Sequence, residues 1–240
     1  MPRTAPNSRR SRTSCSILAL ATVMAVGATP AAAQSFQGSG NFVNPAHGTI
    51  NQSVANQTTV TLNSGVQQAV INWTPTDNAA NTTSNIVFQP AGTVANFNGP
   101  TNFAILNNID TASLTRAVEL NGTINSKVGL TQGGSVYFYA PGGFVLGGQS
   151  AFNVGSLVVS ALPIVTSGSD FITGFGTTNT VTFGPAATPG ASVINNGTIN
   201  ANIPAAGVGG GGDSYVALVA PHVVHNGGIS VDGSAALVAA

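Results

Sequence analysis

A five-residue block, Asn121-Gly122-Thr123-Ile124-Asn125, recurs as Asn196-Gly197-Thr198-Ile199-Asn200. A looser copy stands at Asn226-Gly227-Gly228-Ile229-Ser230 and a partial one at His47-Gly48-Thr49-Ile50-Asn51. Each of the first two copies is followed by a short apolar run that closes in Ala-Pro, residues 135–141 (SVYFYAP) and 215–221 (YVALVAP). Such repetition constrains a fold strongly, because each repeat is one structural unit that buries its apolar face only against its neighbours. The glycines at 48, 122 and 197 stand 74 and 75 residues apart, a spacing that reads as three coils of ~25 residues. The second repeat is five residues longer between its glycine and its proline, and the run 207–212 (GVGGGG) accommodates the surplus as a surface loop.

Between these blocks lie short alternating runs at 58–62, 69–73, 84–88, 135–139, 180–183 and 215–219, each bounded by Gly, Asn or Pro. Val, Ile, Thr and Phe favour strands, while Asn and Gly turn sharp corners at little steric cost. The pattern predicts an all-β parallel β-solenoid. Strands of successive coils would lie ~4.8 Å apart, with apolar side chains stacked inside and Asn ladders at the corners. A β-sandwich is the competing all-β fold, but it would place hairpin dipeptides between longer strands.

Only 5% of the 240 residues are charged, against roughly 25% in ordinary soluble domains. That excludes a coiled coil, which needs abundant Glu, Lys and Leu in heptads. It also excludes a nucleic-acid binder, since too few cations exist to neutralise a run of phosphates. A single cysteine excludes a disulfide scaffold. A 42% hydrophobic content can supply a core, so charge-driven disorder does not fit.

The formal net charge of zero conceals two unlike parts. Arg3, Arg9, Arg10 and Arg12 crowd the first twelve positions, followed by the apolar run 17–26 (ILALATVMAV) and by Ala31-Ala32-Ala33. This is the pattern of a secretory signal peptide over residues 1–33, with cleavage after Ala33. Ten apolar residues are too few to span ~30 Å of hydrocarbon, and no later stretch reaches a span's length, so no stable membrane span is expected. Cys15 would leave with the signal. The remaining 34–240 keeps Arg116 and Lys127 against Asp77, Asp110, Glu119, Asp170, Asp213 and Asp232, a net charge of −4. Export out of the cytoplasm is the expected destination.

Several segments resemble the N-terminal secretion domain of filamentous haemagglutinin-like exoproteins of the two-partner secretion family. Val70-Ile71-Asn72-Trp73 is similar to that family's early INW segment. Residues 102–109 (NFAILNNI) resemble its LNR(I/V) strand, with Asn108 where Arg is usual. Leu120-Asn121-Gly122-Thr123-Ile124 resembles its I-x-G-x-I turn. Residues 134–147 (GSVYFYAPGGFVLG) resemble the family's strand, Asn-Pro-Asn-Gly turn and strand, with Ala140-Pro141-Gly142-Gly143 at the turn. Asn153-Val154-Gly155-Ser156-Leu157-Val158 resembles its N-V-G-G-L-(V/I) block. A polar insert, residues 74–83 (TPTDNAANTT), departs from the pattern.

The resemblance implies a right-handed parallel β-helix over 34–240 with short N-terminal capping strands. It also implies export through an outer-membrane two-partner transporter, and an adhesin-like exterior role with a host or cell-surface ligand. The transporter-recognition candidates are Asn72, Trp73, Asn121, Gly122, Ala140, Pro141, Gly142 and Gly143. No catalytic residue, cofactor or metal site is expected.

Two other functional classes remain open at this point: a polysaccharide-active β-helix enzyme, which would need acids brought together in one groove, and a passive structural surface protein. The acids are dispersed in sequence, and Asp110 and Glu119 bracketing Arg116 read as a solvated charge group. His222 and His225 form an H-x-x-H spacing that a strand would split between its two faces. His47 stands alone beside a turn. The glycine run at 207–212 lacks the Lys-Ser/Thr of a phosphate loop.

Overall fold

The structure is a computed structural model that describes residues 1–2, 34–80, 83–111, 115–202 and 214–240. The chain divides into two units, Met1–Ala31 and Ala32–Ala240, and the architecture below is that of the second. The expected signal peptide with Cys15, the glycine run 207–212 and Asp213 lie outside the described residues.

Two strands come first, β1 (Gly38–Phe42) and β2 (Gly48–Asn51), joined through a 3₁₀ turn at Pro45–His47. The first coil is β3 (Gln57–Leu62), β4 (Gln68–Pro75) and β5 (Ile86–Gln89). The second is β6 (Val94–Gly99), β7 (Ala104–Ile109) and β8 (Val118–Leu120). The third is β9 (Thr123–Val128), β10 (Thr131–Gln132), β11 (Ser135–Tyr139) and β12 (Gly143–Leu146), with β10 folded back antiparallel on β9. The fourth runs through β13 (Ala151–Asn153) and β14 (Ser156–Ser160), leaves the path to form the antiparallel pair β15 (Ile172–Thr173) and β16 (Thr180–Val181), and returns at β17 (Ser192–Asn195). The fifth is β18 (Thr198–Ala201), β19 (Tyr215–Ala220) and β20 (His222–His225), and β21 (Gly228–Val231) and β22 (Ser234–Ala239) follow.

Equivalent strands of successive coils pair in parallel and build three sheets. The first runs β4-β7-β11-β14-β19-β22, the second β3-β6-β9-β13-β18-β21, and the third β5-β8-β12-β17-β20. This is the expected β-solenoid. At one end β1 lies antiparallel on β4 and β2 antiparallel on β3, so the edges of the first and second sheets are covered there by backbone partners.

Alternation in each strand sends one face inward. The inward columns interlock into one core that contains Ile71, Phe97, Ile105, Ile124, Phe138, Phe144, Leu157, Val193, Ile199 and Leu218, all nearly or fully buried. Asn side chains hydrogen-bond from coil to coil on the outside: Asn153 donates to Asn125 at 3.1 Å, Asn125 to Asn96 at 3.1 Å, Asn226 to Asn196 at 3.0 Å and Asn108 to Asn72 at 3.0 Å. These partners lie 28 to 36 residues apart in sequence.

That interval corrects the ~25-residue coil read from the repeat. Gly122 and Gly197 are separated by two coils, not three, because the second of those coils carries the excursion between β14 and β17. The partial copy at His47–Asn51 is no coil at all: Gly48 opens the antiparallel capping strand β2. The run 180–183 likewise belongs to the excursion, not to a coil.

The excursion folds over the outer face of the first sheet. Ile164, Phe171 and Ile172 pack with Val70, Ala104, Leu106, Tyr137 and Val158 into a second buried cluster. Gln68, from β4, holds it in place: its Oε1 accepts from the backbone N–H groups of Phe171 and Ile172 at 3.1 and 2.8 Å, and its Nε2 donates to the Ile172 carbonyl at 3.1 Å.

Candidate functional site

The recognition candidates occupy adjacent coils. Asn72 and Trp73 are neighbours on β4 and point opposite ways. Asn72 is exposed and accepts the ladder bond from Asn108. Trp73 is fully buried, edge-on to Phe36 with ring centroids 5.1 Å apart and to Phe88 at 5.7 Å. Its indole N–H donates to Asn107 Oδ1 at 3.0 Å, and Asn107 Nδ2 donates to the Tyr137 carbonyl at 3.1 Å. Asn107 stands opposite Ile71 and Phe138 in an otherwise apolar column, so those two bonds offset its desolvation.

Asn121 and Gly122 form the corner between β8 and β9. Asn121 Oδ1 accepts from the Gln149 backbone N–H in the next coil at 3.0 Å. Gly122 leaves no room for a side chain, since a Cβ there would stand 2.6 Å from the Thr93 carbonyl oxygen.

Ala140, Pro141, Gly142 and Gly143 make the buried turn from β11 to β12, closed by a Gly143 N–H to Ala140 carbonyl bond of 3.0 Å. Gly143 has φ +85, a conformation that side chains rarely adopt, and a Cβ there would fall 2.0 Å from the Ser192 carbonyl oxygen. The two glycines thus permit close coil-on-coil approach, since a Cβ at Gly142 would likewise fall 2.1 Å from the Arg116 carbonyl oxygen.

The charged residues near this turn are arranged differently from the sequence expectation. Arg116 is 2% exposed and does not form a solvated group with Asp110 and Glu119. Its guanidinium grips the polar insert. Nη1 and Nη2 donate to the two carboxylate oxygens of Asp77 at 3.0 and 2.6 Å, Nε donates to the Ser84 carbonyl at 2.7 Å, and Nη1 donates to the Ala79 carbonyl at 2.9 Å. The guanidinium hydrogen bond holds the Asp77 carboxyl below its ordinary value of 3.8, with the positive charge of Arg116 adding to the effect against some desolvation. A bidentate fork suits Arg and not Lys. Asp77, Ala79 and Ser84 are thereby tied to one buried side chain.

His222 and His225 sit at the two ends of β20. His225 extends the column of Leu146 and Asn195, and its Nδ1 lies 3.1 Å from Asn195 Nδ2. His222 is exposed on the opposite register. His47 closes the 3₁₀ turn, and its Nδ1 is buried without a hydrogen-bond partner. Among the described residues no three His, Cys, Asp or Glu side chains gather into a metal-binding group.

A polar cluster that sequence reasoning missed lies on the outer face of the first sheet. Tyr137 of β11 and Tyr215 of β19 reach across β14 and share a hydroxyl–hydroxyl hydrogen bond. Burial pushes both phenols above their ordinary pKa of 10, Tyr137 the further. Both therefore keep their protons at neutral pH. They are 78 residues apart in sequence, and only the coil pitch brings them together.

No family model matches the chain, and no curated protein does. Among solved structures, the chain is similar to the HMW1 secretion domain from Haemophilus influenzae, with a TM-score of 0.47 and 19% sequence identity over 78% of this chain. The chain spans 44% of that structure's length. Among the described residues no helix is long and apolar enough to cross a membrane.

Proposed function

We propose that this chain is a non-enzymatic, secretion-directing β-solenoid of the two-partner type, exported through an outer-membrane transporter and displayed outside the cell as an adhesin-like surface. The observation that carries the reading is the placement of its family-like blocks. Val70 to Trp73 lies in β4, residues 102–109 hold β7, residues 120–124 make the β8–β9 corner, residues 134–147 hold β11 and β12, and residues 153–158 run from the last residue of β13 into β14. The five blocks thus follow one another along four consecutive coils.

The topology supports export as an unfolded chain. Each coil pairs with the one before it, so a chain emerging N-terminus first can add coils one by one on the cap of β1 and β2. Folding then requires no late pairing between distant ends. The burial pattern supports recognition ahead of folding. Trp73, Gly122, Ala140, Pro141, Gly142 and Gly143 are buried in the folded solenoid, whereas Asn72 is exposed and Asn121 half-exposed. A transporter that reads these blocks reads them before the coils close.

Secretion tests the proposal. In a host expressing a two-partner transporter that exports the intact chain, deletion of residues 34–165 abolishes release, while a transporter-independent surface protein would be released as before. Unchanged export would overturn the reading.

A further inference from the structure

Between the excursion and the outer face of the first sheet lies a cleft of ≈ 530 Å³. We propose that it is a binding site for a neutral oligosaccharide. The inference stands apart from the export role, since it rests on the folded chain alone.

The first support is architectural. Coils close in about 28 to 30 residues where nothing interrupts them, as the Asn ladders show. The excursion between β14 and β17 is therefore not required to continue the solenoid. It adds a wall, formed by Thr177, Asn179, Val181 and Phe183, facing a floor that includes Tyr137, Val158 and Tyr215. The volume lies within the range of small-molecule sites, roughly 300–1,000 Å³.

The second support is a polar side chain fixed on the wall. Asn179 adopts φ 47, a left-handed conformation uncommon outside glycine, and its Oδ1 accepts from the Gly176 N–H at 2.7 Å. That bond fixes the side chain and leaves its amide N–H groups as donors at the cleft.

The lining chooses the ligand. Among the described residues it contains no charged one: Tyr, Thr, Ser and Asn supply polar groups, and Val158, Val181, Phe183 and Ala217 supply apolar surface. An anionic ligand would enter with no counter-charge and lose its hydration. A purely apolar ligand would desolvate the Asn179 amide donors without a partner. A pyranose ring carries equatorial hydroxyls and an apolar C–H face, which matches both kinds of surface. An extended peptide is recognised through a free sheet edge, whereas the floor here is a sheet face whose strands β11 and β14 are paired on both sides.

The test is titration of the purified chain with maltotriose, cellotriose and N,N′,N″-triacetylchitotriose by calorimetry and saturation-transfer NMR, with a heparin tetrasaccharide as the charged comparison. At least one neutral trisaccharide is expected to bind saturably with a Kd of about 1 mM or tighter. Asn179→Gly, which suits the left-handed backbone, and Ala217→Trp, which fills the cleft, should each weaken binding about tenfold or more. Far-UV circular dichroism and the thermal midpoint check that each variant is folded, and agreement of the two variants guards against one of them disturbing the excursion. Absence of binding by all three neutral probes, unchanged affinity in both folded variants, or preferential binding of the heparin fragment would each overturn the proposal. None of these results bears on export, which is read separately by release of the 34–165 deletion.

Discussion

At the scale of single residues, Arg116 shows how a sparse charge is used. The chain has six basic residues, yet this one is placed inside, with all three guanidinium nitrogens engaged. Arg116→Met should release Asp77, Ala79 and Ser84, lower the thermal midpoint and open the chain beside them to limited proteolysis. Arg116→Lys should fail to restore it, because an ammonium cannot span both carboxylate oxygens and the carbonyls. The pair also sets a pH dependence. Asp77 has a folded pKa below its ordinary 3.8, so its contribution to stability is present above that value and is lost as pH falls through the folded value. The wild-type advantage in thermal midpoint over Asp77→Asn should therefore hold at neutral pH and shrink below about pH 4. It should be modest, because the Asp77 side chain is 53% exposed and solvent screens it. Sequence reading placed Arg116 with its chain neighbours Asp110 and Glu119. Its partner is Asp77, 39 residues away, and nothing local in the sequence signals that pairing.

Among the elements, the excursion is the one that the sequence disguised. Its Thr, Val, Phe and Gly content matches that of the coils, so residues 180–183 read as one more coil strand. The distinction lies in what the strand pairs with: β16 pairs antiparallel with β15 and with no coil strand. The excursion leaves and returns at one point, where Gly184 N–H donates to the Pro163 carbonyl at 2.8 Å. Excising residues 165–182 behind a short glycine link should therefore leave the solenoid folded, with an unchanged strand signature in far-UV circular dichroism. It should also uncover Val70, Leu106 and Val158, each a side chain whose burial contributes about 1.5–3 kcal/mol. Increased binding of a hydrophobic dye and self-association on a sizing column are the expected readouts. A cooperative loss of all strand signal would instead make the excursion part of the solenoid's own core.

For the whole molecule, the two ends of the solenoid differ. At the N-terminal end β1 and β2 cover the edges of the first and second sheets, and Phe36 packs into the core. Its ring stacks on Phe88 at 4.8 Å and meets Trp73 edge-on at 5.1 Å. Phe36→Ala should cost about 3–5 kcal/mol, read as a lower denaturant midpoint with an unchanged m-value. A cost under about 1 kcal/mol would mean that the first coil holds itself without that ring. At the other end β20, β21 and β22 are terminal in their sheets, and Leu237 and Val238 on β22 are 50% and 39% exposed. The cap therefore gives the stack a defined starting point, which suits folding in the order of emergence.

The sequence by itself determined the fold class, the strand content and the chemistry of the corners. Alternation, Asn-Gly steps and a near absence of charge are local properties, and each survives unchanged in the folded chain. It also marked the β11–β12 turn and the β8–β9 corner, where glycine is demanded by close backbone approach. The tertiary structure alone decided the coil length, the capping role of the His47–Asn51 copy, the partner of Arg116 and the cleft that Tyr137, Ser214 and Tyr215 line. The physical reason is common to all four. Chain distance is a poor measure of spatial distance in a solenoid, because one coil brings residues about 30 positions apart into contact, and an inserted detour changes the count without changing the neighbours.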